Sequence, residues 1–305
     1  MTVDPARRDR ALASLRGLSV GDALGSQFFV PAHYPLLRRG ELPPAPWQWT
    51  DDTEMACSVV AVLDTRGAAD QDALAAAFAE HYDVDRGYGP MVDRMLRQIA
   101  QEGADWRELA AALFDGRGSW GNGAAMRVAP LGAWFADDPA RAAAEAQQSS
   151  YVTHQHREAV CGTMAVAVAA ALRASTPAWG PDSGGALLDG VVELVPRSAV
   201  QAGLRRARDM LDYGDPGTVA AVLGCGRRTS AQDTVPFALW AAARHGGDFE
   251  RALWTTVQAG GDMDTTCAIV GGVLAAGPDC APPSAWTQRT EPLPEWVPGA
   301  DLAGR

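Results

Sequence analysis

Apolar positions recur along this chain at intervals of three and four residues, and no alternating run is longer than a few residues. Near the N-terminus, Ala11, Leu12, Leu15, Leu18 and Val20 mark one face of a helix that begins about Arg7 and ends in Gly21-Asp22-Ala23-Leu24-Gly25-Ser26, whose glycines permit close helix packing or a tight turn. Residues 27–48 carry no helical period and contain Pro31, Pro35, Gly40, Pro43, Pro44 and Pro46, which predicts an irregular loop of the kind that forms lids and binding loops. Beyond it, the period predicts helices over 55–63, 70–78, 91–99, 106–114, 139–150, 157–174, 186–194, 198–213, 235–244, 249–259 and 267–274. Two glycine-rich breaks interrupt them. One is Asp85-Arg86-Gly87-Tyr88-Gly89-Pro90; the other runs from Gly116 to Gly123 and is expected to open directly into a helix across 124–131. The tail after Gly277, rich in Pro and Trp, is expected to lie across the surface. With no composition break to mark a linker, the expectation is an all-α fold, with residues 1–305 forming one domain.

Composition narrows the function classes without choosing among them. At 47% hydrophobic residues the chain has ample material for a core, and a net charge of −11 argues against a nucleic-acid backbone as partner while allowing cations at local acidic clusters. Every basic side chain is Arg, scattered along the chain, which says nothing of function. Five cysteines, Cys57, Cys161, Cys225, Cys267 and Cys280, form no CxxC pair and are expected to be buried free thiols in a reducing compartment. No signal-peptide core follows Met1, and no run approaches the roughly 18 apolar residues of a membrane span. The expected setting is a cytoplasmic monomer with no membrane partner.

Two acidic clusters change the picture. Thr50-Asp51-Asp52-Thr53 and Gly260-Gly261-Asp262-Met263-Asp264-Thr265-Thr266 lie far apart in sequence, yet in both an Asp-Thr pair immediately precedes an apolar helix. Either alone reads equally well as the acidic first turn of a capped helix. Together they crowd four carboxylates at two inward-pointing helix starts, and such charges repel unless a proton or cation relieves them. Carboxylate and hydroxyl oxygens suit a hard cation such as Mg²⁺ or Mn²⁺ rather than Zn²⁺, and four aspartates are enough for two ions. The Gly116–Gly123 break would present backbone N–H groups to an anion, or would be an ordinary turn.

Taken with Gly21-Asp22-Ala23-Leu24-Gly25-Ser26, Gly121-Asn122-Gly123-Ala124-Ala125-Met126-Arg127 and Thr153-His154, these clusters resemble the successive motifs of the ADP-ribosylglycohydrolase family, in the family's order. The resemblance implies a compact orthogonal helical bundle with a binuclear Mg²⁺ or Mn²⁺ centre at the bottom of an ADP-ribose cleft, acting on ADP-ribose or an ADP-ribosylated substrate. Carried over motif by motif, it implies Thr50, Asp51, Asp52, Asp262, Asp264 and Thr265 as metal ligands, with Asp51, Asp52 and Asp264 also in the chemistry. It implies Gly87, Tyr88 and Gly89 as a diphosphate loop. Trp120, Gly121, Asn122, Gly123, Ala124, Met126 and His154 would then surround the ribose nearest the metals. One position departs from the family: where a glutamate commonly follows the first motif, this chain has Phe29. Glu41, the only carboxylate of the 27–48 loop, could replace it; an aspartate of the metal cluster could activate water directly; or the protein could bind ADP-ribose without cleaving it.

Overall fold

The computed structural model describes residues 4–299, and among them every regular element is helical. The first half contains α1 (Pro5–Gln27), α2 (Tyr34–Arg39), α3 (Asp51–Arg66), α4 (Gln71–Glu80), α5 (Pro90–Glu102), α6 (Trp106–Ala112), α7 (Ala129–Trp134) and α8 (Pro139–Tyr151). The second contains α9 (Arg157–Ala174), α10 (Ser183–Leu194), α11 (Ala199–Asp209), α12 (Pro216–Leu223), α13 (Ala231–Arg244), α14 (Phe249–Gln258), α15 (Met263–Ala275) and α16 (Ser284–Thr287).

The helix starts follow from capping chemistry. Asp70, Asp105, Asp138, Asp215 and Asp248 each accept a hydrogen bond from a first-turn N–H, and Pro5, Pro90, Pro139 and Pro216 sit where the missing donor costs nothing. α9 coincides with its predicted range, because its Ala- and Val-rich surface is buried nearly all round.

Several expectations need correction. The loop 27–48 contains a 3₁₀ turn, Pro31–His33, and α2, which is closed by Gly40 at φ 65°. Neither buries a residue, so neither left an apolar face in the sequence. α12 buries only Val219 and Leu223, and its Asp215 cap and Pro216 were the sole signals. The helix expected across 124–131 starts only at Ala129; before it, Ala125 and Met126 N–H close a single turn on the Asn122 backbone carbonyl that does not continue into α7.

α1 does not end at its glycine-rich hexapeptide but runs straight through it. Gly17, Gly21 and Gly25 fall on one face at four-residue spacing, and that face rests on the backbone of α15. A Cβ at Gly21 would lie 2.1 Å from the Cys267 carbonyl oxygen, and one at Gly25 2.3 Å from that of Met263. Close approach therefore outweighs the low helix propensity of glycine here. The tail is likewise more than a surface strap. Trp286 is buried against Trp47 and Trp254, and Trp47 N–H donates to the Arg289 carbonyl at 2.7 Å. All five cysteines are free and buried, and no described helix is long and apolar enough to cross a membrane.

Candidate active site

The contact between α1 and α15 places Asp22 beneath the first turn of α3. Its Oδ2 accepts from Thr50 N–H at 2.9 Å, Thr53 N–H at 3.1 Å and the Thr53 hydroxyl at 2.6 Å, and its Oδ1 accepts from the Thr50 hydroxyl at 2.8 Å. Four donors thus converge on one fully buried carboxylate. Because Thr50 gives its proton to Asp22 and accepts from Asp52 N–H at 3.4 Å, one lone pair of its hydroxyl remains for another partner. Burial nevertheless holds the Asp22 carboxyl up at about 6, against those hydrogen bonds.

Asp51 and Asp52 project from that turn, and Asp262, Asp264 and Thr265 from the start of α15, into one cleft of about 480 Å³. Asp262 is steered by its neighbours: its N–H donates to the Cys225 carbonyl at 3.0 Å, and its Oδ2 accepts from Asn122 Nδ2 at 2.7 Å. Burial, with the Asp22 charge next in weight, pushes the Asp51 carboxyl up to about 8. Burial and neighbouring aspartates likewise hold Asp52 and Asp264 well above the usual carboxylate range.

Asp52 Oδ2 is buried without a hydrogen-bond partner among the described residues. No three described His, Cys, Asp or Glu side chains close into a ready-made metal cage. The donor set nonetheless fits hard divalent cations: it is all oxygen, it is crowded with like charge, and it contains an acceptor that nothing in the protein satisfies.

The wall above the aspartates is built by the segment 119–123 packed on the turn before α9. Asn122 gives both amide hydrogens to protein, one to Asp262 and one to the Thr234 hydroxyl at 3.0 Å, so only its carbonyl oxygen is free for a ligand.

His154 is fixed just as closely. The fully buried Arg127 donates to Thr153 Oγ1 at 3.1 Å, and Thr153 Oγ1 lies 2.7 Å from His154 Nδ1. The Thr153 proton therefore goes to Nδ1, which leaves Nε2 carrying the hydrogen on the side facing Gly121 and Gly123. Burial, then the Arg127 charge, pushes the imidazole down to about 3, so it is a neutral donor. Acceptor and donor thus flank the same space.

Farther out, Gly87 and Gly89 line the opposite wall, and the N–H groups of Gly87, Tyr88 and Gly89 donate to no described residue. Arg86 holds this loop rather than entering the cleft. Its guanidinium stacks 3.5 Å over Trp49 and forms two 2.8 Å bonds to Glu291 of the tail. At the mouth, Phe114 and Trp120 lie with ring centroids 5.0 Å apart.

Most sequence-derived candidates meet here: Asp51, Asp52, Gly87, Gly89, Trp120, Gly121, Asn122, Gly123, Met126, His154, Asp262, Asp264 and Thr265 all line the cleft. Four others do not. Thr50 is the N-cap of α3 and bonds to Asp22, Tyr88 packs on Tyr82, and Ala124 is wholly buried. Glu41 is exposed and paired with Arg39 at 2.8 Å, outside the cleft, as is the exposed Phe29. Sequence reasoning missed Asp22, Phe114 and Thr229. Asp22 stood in a quoted motif with no partner visible, and the other two have positive φ (53° and 49°), which the sequence does not announce.

An all-α scaffold thus gathers carboxylates from two helix starts, a neutral imidazole and a glycine loop around one cleft, the makings of a polar small-molecule site. The family model for ADP-ribosylglycohydrolase matches residues 3–303, and the chain belongs to that family. It is 28% identical over 271 residues to ADP-ribosylhydrolase ARH3 of Homo sapiens, covering 80% of this chain and 74% of that protein. It is 26% identical over 308 residues to ADP-ribosylarginine hydrolase Tri1 of Pseudomonas putida (93% and 76% covered), and 30% identical over 295 residues to an uncharacterized protein of Archaeoglobus fulgidus (85% of each). Among solved structures, a chain described as "ADP-ribosylglycohydrolase-related protein complex" superposes with a TM-score of 0.68 at 28% identity, covering 94% of both chains. The protein is accordingly an enzyme of the ADP-ribosylhydrolase type, acting on ADP-ribose linkages.

Proposed function

We propose that the cleft hydrolyses the glycosidic bond between ADP-ribose and an acceptor with the help of two divalent cations, Mg²⁺ or Mn²⁺. The observation that carries this is the convergence of Asp51, Asp52, Asp262, Asp264 and Thr265 on the same cleft as the Asn122 carbonyl and the His154 Nε2–H. The aspartates, Thr265 and the Thr50 hydroxyl oxygen, whose proton is given to Asp22, would hold the cations. When bound, such cations supply stabilisation of negative charge at an attacking water and at ribose oxygens.

The chain's own residues do the rest. Asn122 accepts from one ribose hydroxyl while His154 donates to a ribose oxygen, which fixes the anomeric carbon over the aspartates. The unpaired N–H groups of Gly87, Tyr88 and Gly89 cradle the diphosphate, and the Phe114–Trp120 pair offers a face on which a base can stack. With Glu41 outside the cleft, the proton of the attacking water passes to Asp51, Asp52 or Asp264. The acceptor is protein, nucleic acid or a small molecule, and the arginine linkage named for the Pseudomonas putida relative is one candidate.

Release of ADP-ribose from serine-linked and arginine-linked ADP-ribosyl peptides tests this reading. Turnover of at least one, lowered about 100-fold or more in Asn122→Ala, is expected. ADP-ribose binding without turnover of any conjugate would instead indicate a silent relative.

A further inference from the structure

Glu54 is a buried carboxylate with no part in the proposed reaction. It stands on α3 one turn beyond Asp51, so the two share a face of the helix, and only 3% of its surface is exposed. Capping does not explain it, because Thr50 already caps this turn. Its partners belong to the glycine loop instead. Asp83 N–H donates to both of its oxygens, at 3.0 and 3.1 Å, and the Tyr88 hydroxyl lies against the same carboxyl.

Those two contacts bracket the turn that leads into the free N–H groups. Between Asp83 and Tyr88 lie the 3₁₀ turn Val84–Arg86 and Gly87 at φ 87°, and the N–H groups of Gly87, Tyr88 and Gly89 donate to no described residue. Asp83, Val84, Asp85, Gly87 and Gly89 are exposed, so the segment has almost no core of its own; Tyr88 is its one buried side chain. Glu54 ties to α3 a segment that Arg86 ties to Glu291 and Trp49. A carboxylate is a poor neighbour for N–H groups that suit an anion, and the Arg86 guanidinium lies close enough to offset its charge.

We propose, on the reading of this cleft as an ADP-ribose site, that Glu54 is a positioning residue that sets its preference for a diphosphate. Glu54 touches no ligand itself. By holding Asp83 N–H and the Tyr88 hydroxyl, it keeps the three free N–H groups at a fixed spacing from the Asp51–Asp52 turn, so that a diphosphate on the loop and a ribose at the aspartates fit one ligand.

Calorimetric titration with ADP and with adenosine, both in EDTA, compares a ligand that has the diphosphate with one that lacks it. The wild type is expected to bind ADP about tenfold or more tightly than adenosine. In Glu54→Met, which is of similar length and has no oxygen acceptor, ADP affinity falls about tenfold and adenosine affinity is unchanged. Glu54→Gln keeps one acceptor oxygen and retains most of the preference. Tyr88→Phe removes only the hydroxyl and shifts the ratio in the same direction as Glu54→Met, which keeps the test open should Glu54→Met fail to fold. A role confined to stability would lower the urea midpoint and leave the ratio of the two affinities at its wild-type value. That result, or an equal loss for both ligands, overturns the proposal. A wild type with no preference for ADP overturns the reading of the cleft and this proposal with it, whereas a preference kept in Glu54→Met and Tyr88→Phe overturns this proposal alone.

Discussion

Asp22 lines no cavity, yet it organises the first turn of α3 by accepting four hydrogen bonds. Asp22→Asn puts an amide NH₂ where donors already converge. It is expected to destabilise the fold by about 3 kcal/mol and to weaken divalent-cation binding about 10- to 100-fold. Urea unfolding and cation titration measure the two effects. Thr153→Val removes the hydroxyl that fixes the His154 tautomer while leaving Arg127 its bond to the Ser149 carbonyl. Activity should fall about tenfold in kcat/KM, with His154 Nδ1 and Nε2 both populated by hydrogen in nitrogen-detected NMR. An unchanged tautomer would contradict the relay from Arg127. The aspartate and threonine positions were legible because each cluster is contiguous in sequence and sits at a helix start. The roles of Asp22 and Arg127 were not, since each depends on contacts with residues that only folding brings near.

Helices that bury an apolar face announced themselves, as α9 and α14 show, whereas α2 and α12 bury little or nothing and did not. The glycines of the hexapeptide in α1 read as close helix packing or a tight turn, and the structure has the close packing. Small residues carry no period, and their purpose, contact with the α15 backbone, lies on another element. Gly21→Ala tests that contact. With a Cβ 2.1 Å from the Cys267 carbonyl oxygen, the two helices must separate, at a cost of about 3 kcal/mol read from the urea midpoint. Because the same contact sets α3 against α15, cation binding should weaken in this variant too.

At the scale of the whole molecule, the buried aspartates couple stability to pH and to cations. Asp51 titrates near 8 in the folded chain and near 3.8 when unfolded, so between those values the folded state holds a proton that the unfolded state has released. Its contribution is complete at low pH and is lost as pH rises through 8. His154 acts in the opposite sense: the unfolded chain takes up a proton near 6.5 and the folded chain only near 3, so stability falls as pH drops through that window. The cation-free protein should therefore show a Tm that declines between about pH 6.5 and 8, a slope that Asp51→Asn reduces. Mg²⁺ should raise Tm most at the alkaline end, where the carboxylates it neutralises are ionised. A Tm that rises with pH over that range would contradict the crowding of the aspartates.

The central claim is that these carboxylates work through bound cations on an ADP-ribose linkage. It is tested most directly by following ADP-ribose release from an ADP-ribosylated peptide after chelation with EDTA, with Mg²⁺ or Mn²⁺ then restored. The expected result is release that stops on chelation, returns with the cation, and is lost by about 100-fold or more in Asp52→Asn. Release that continues at the same rate without any divalent cation, or that proceeds undiminished in Asp52→Asn, would contradict it.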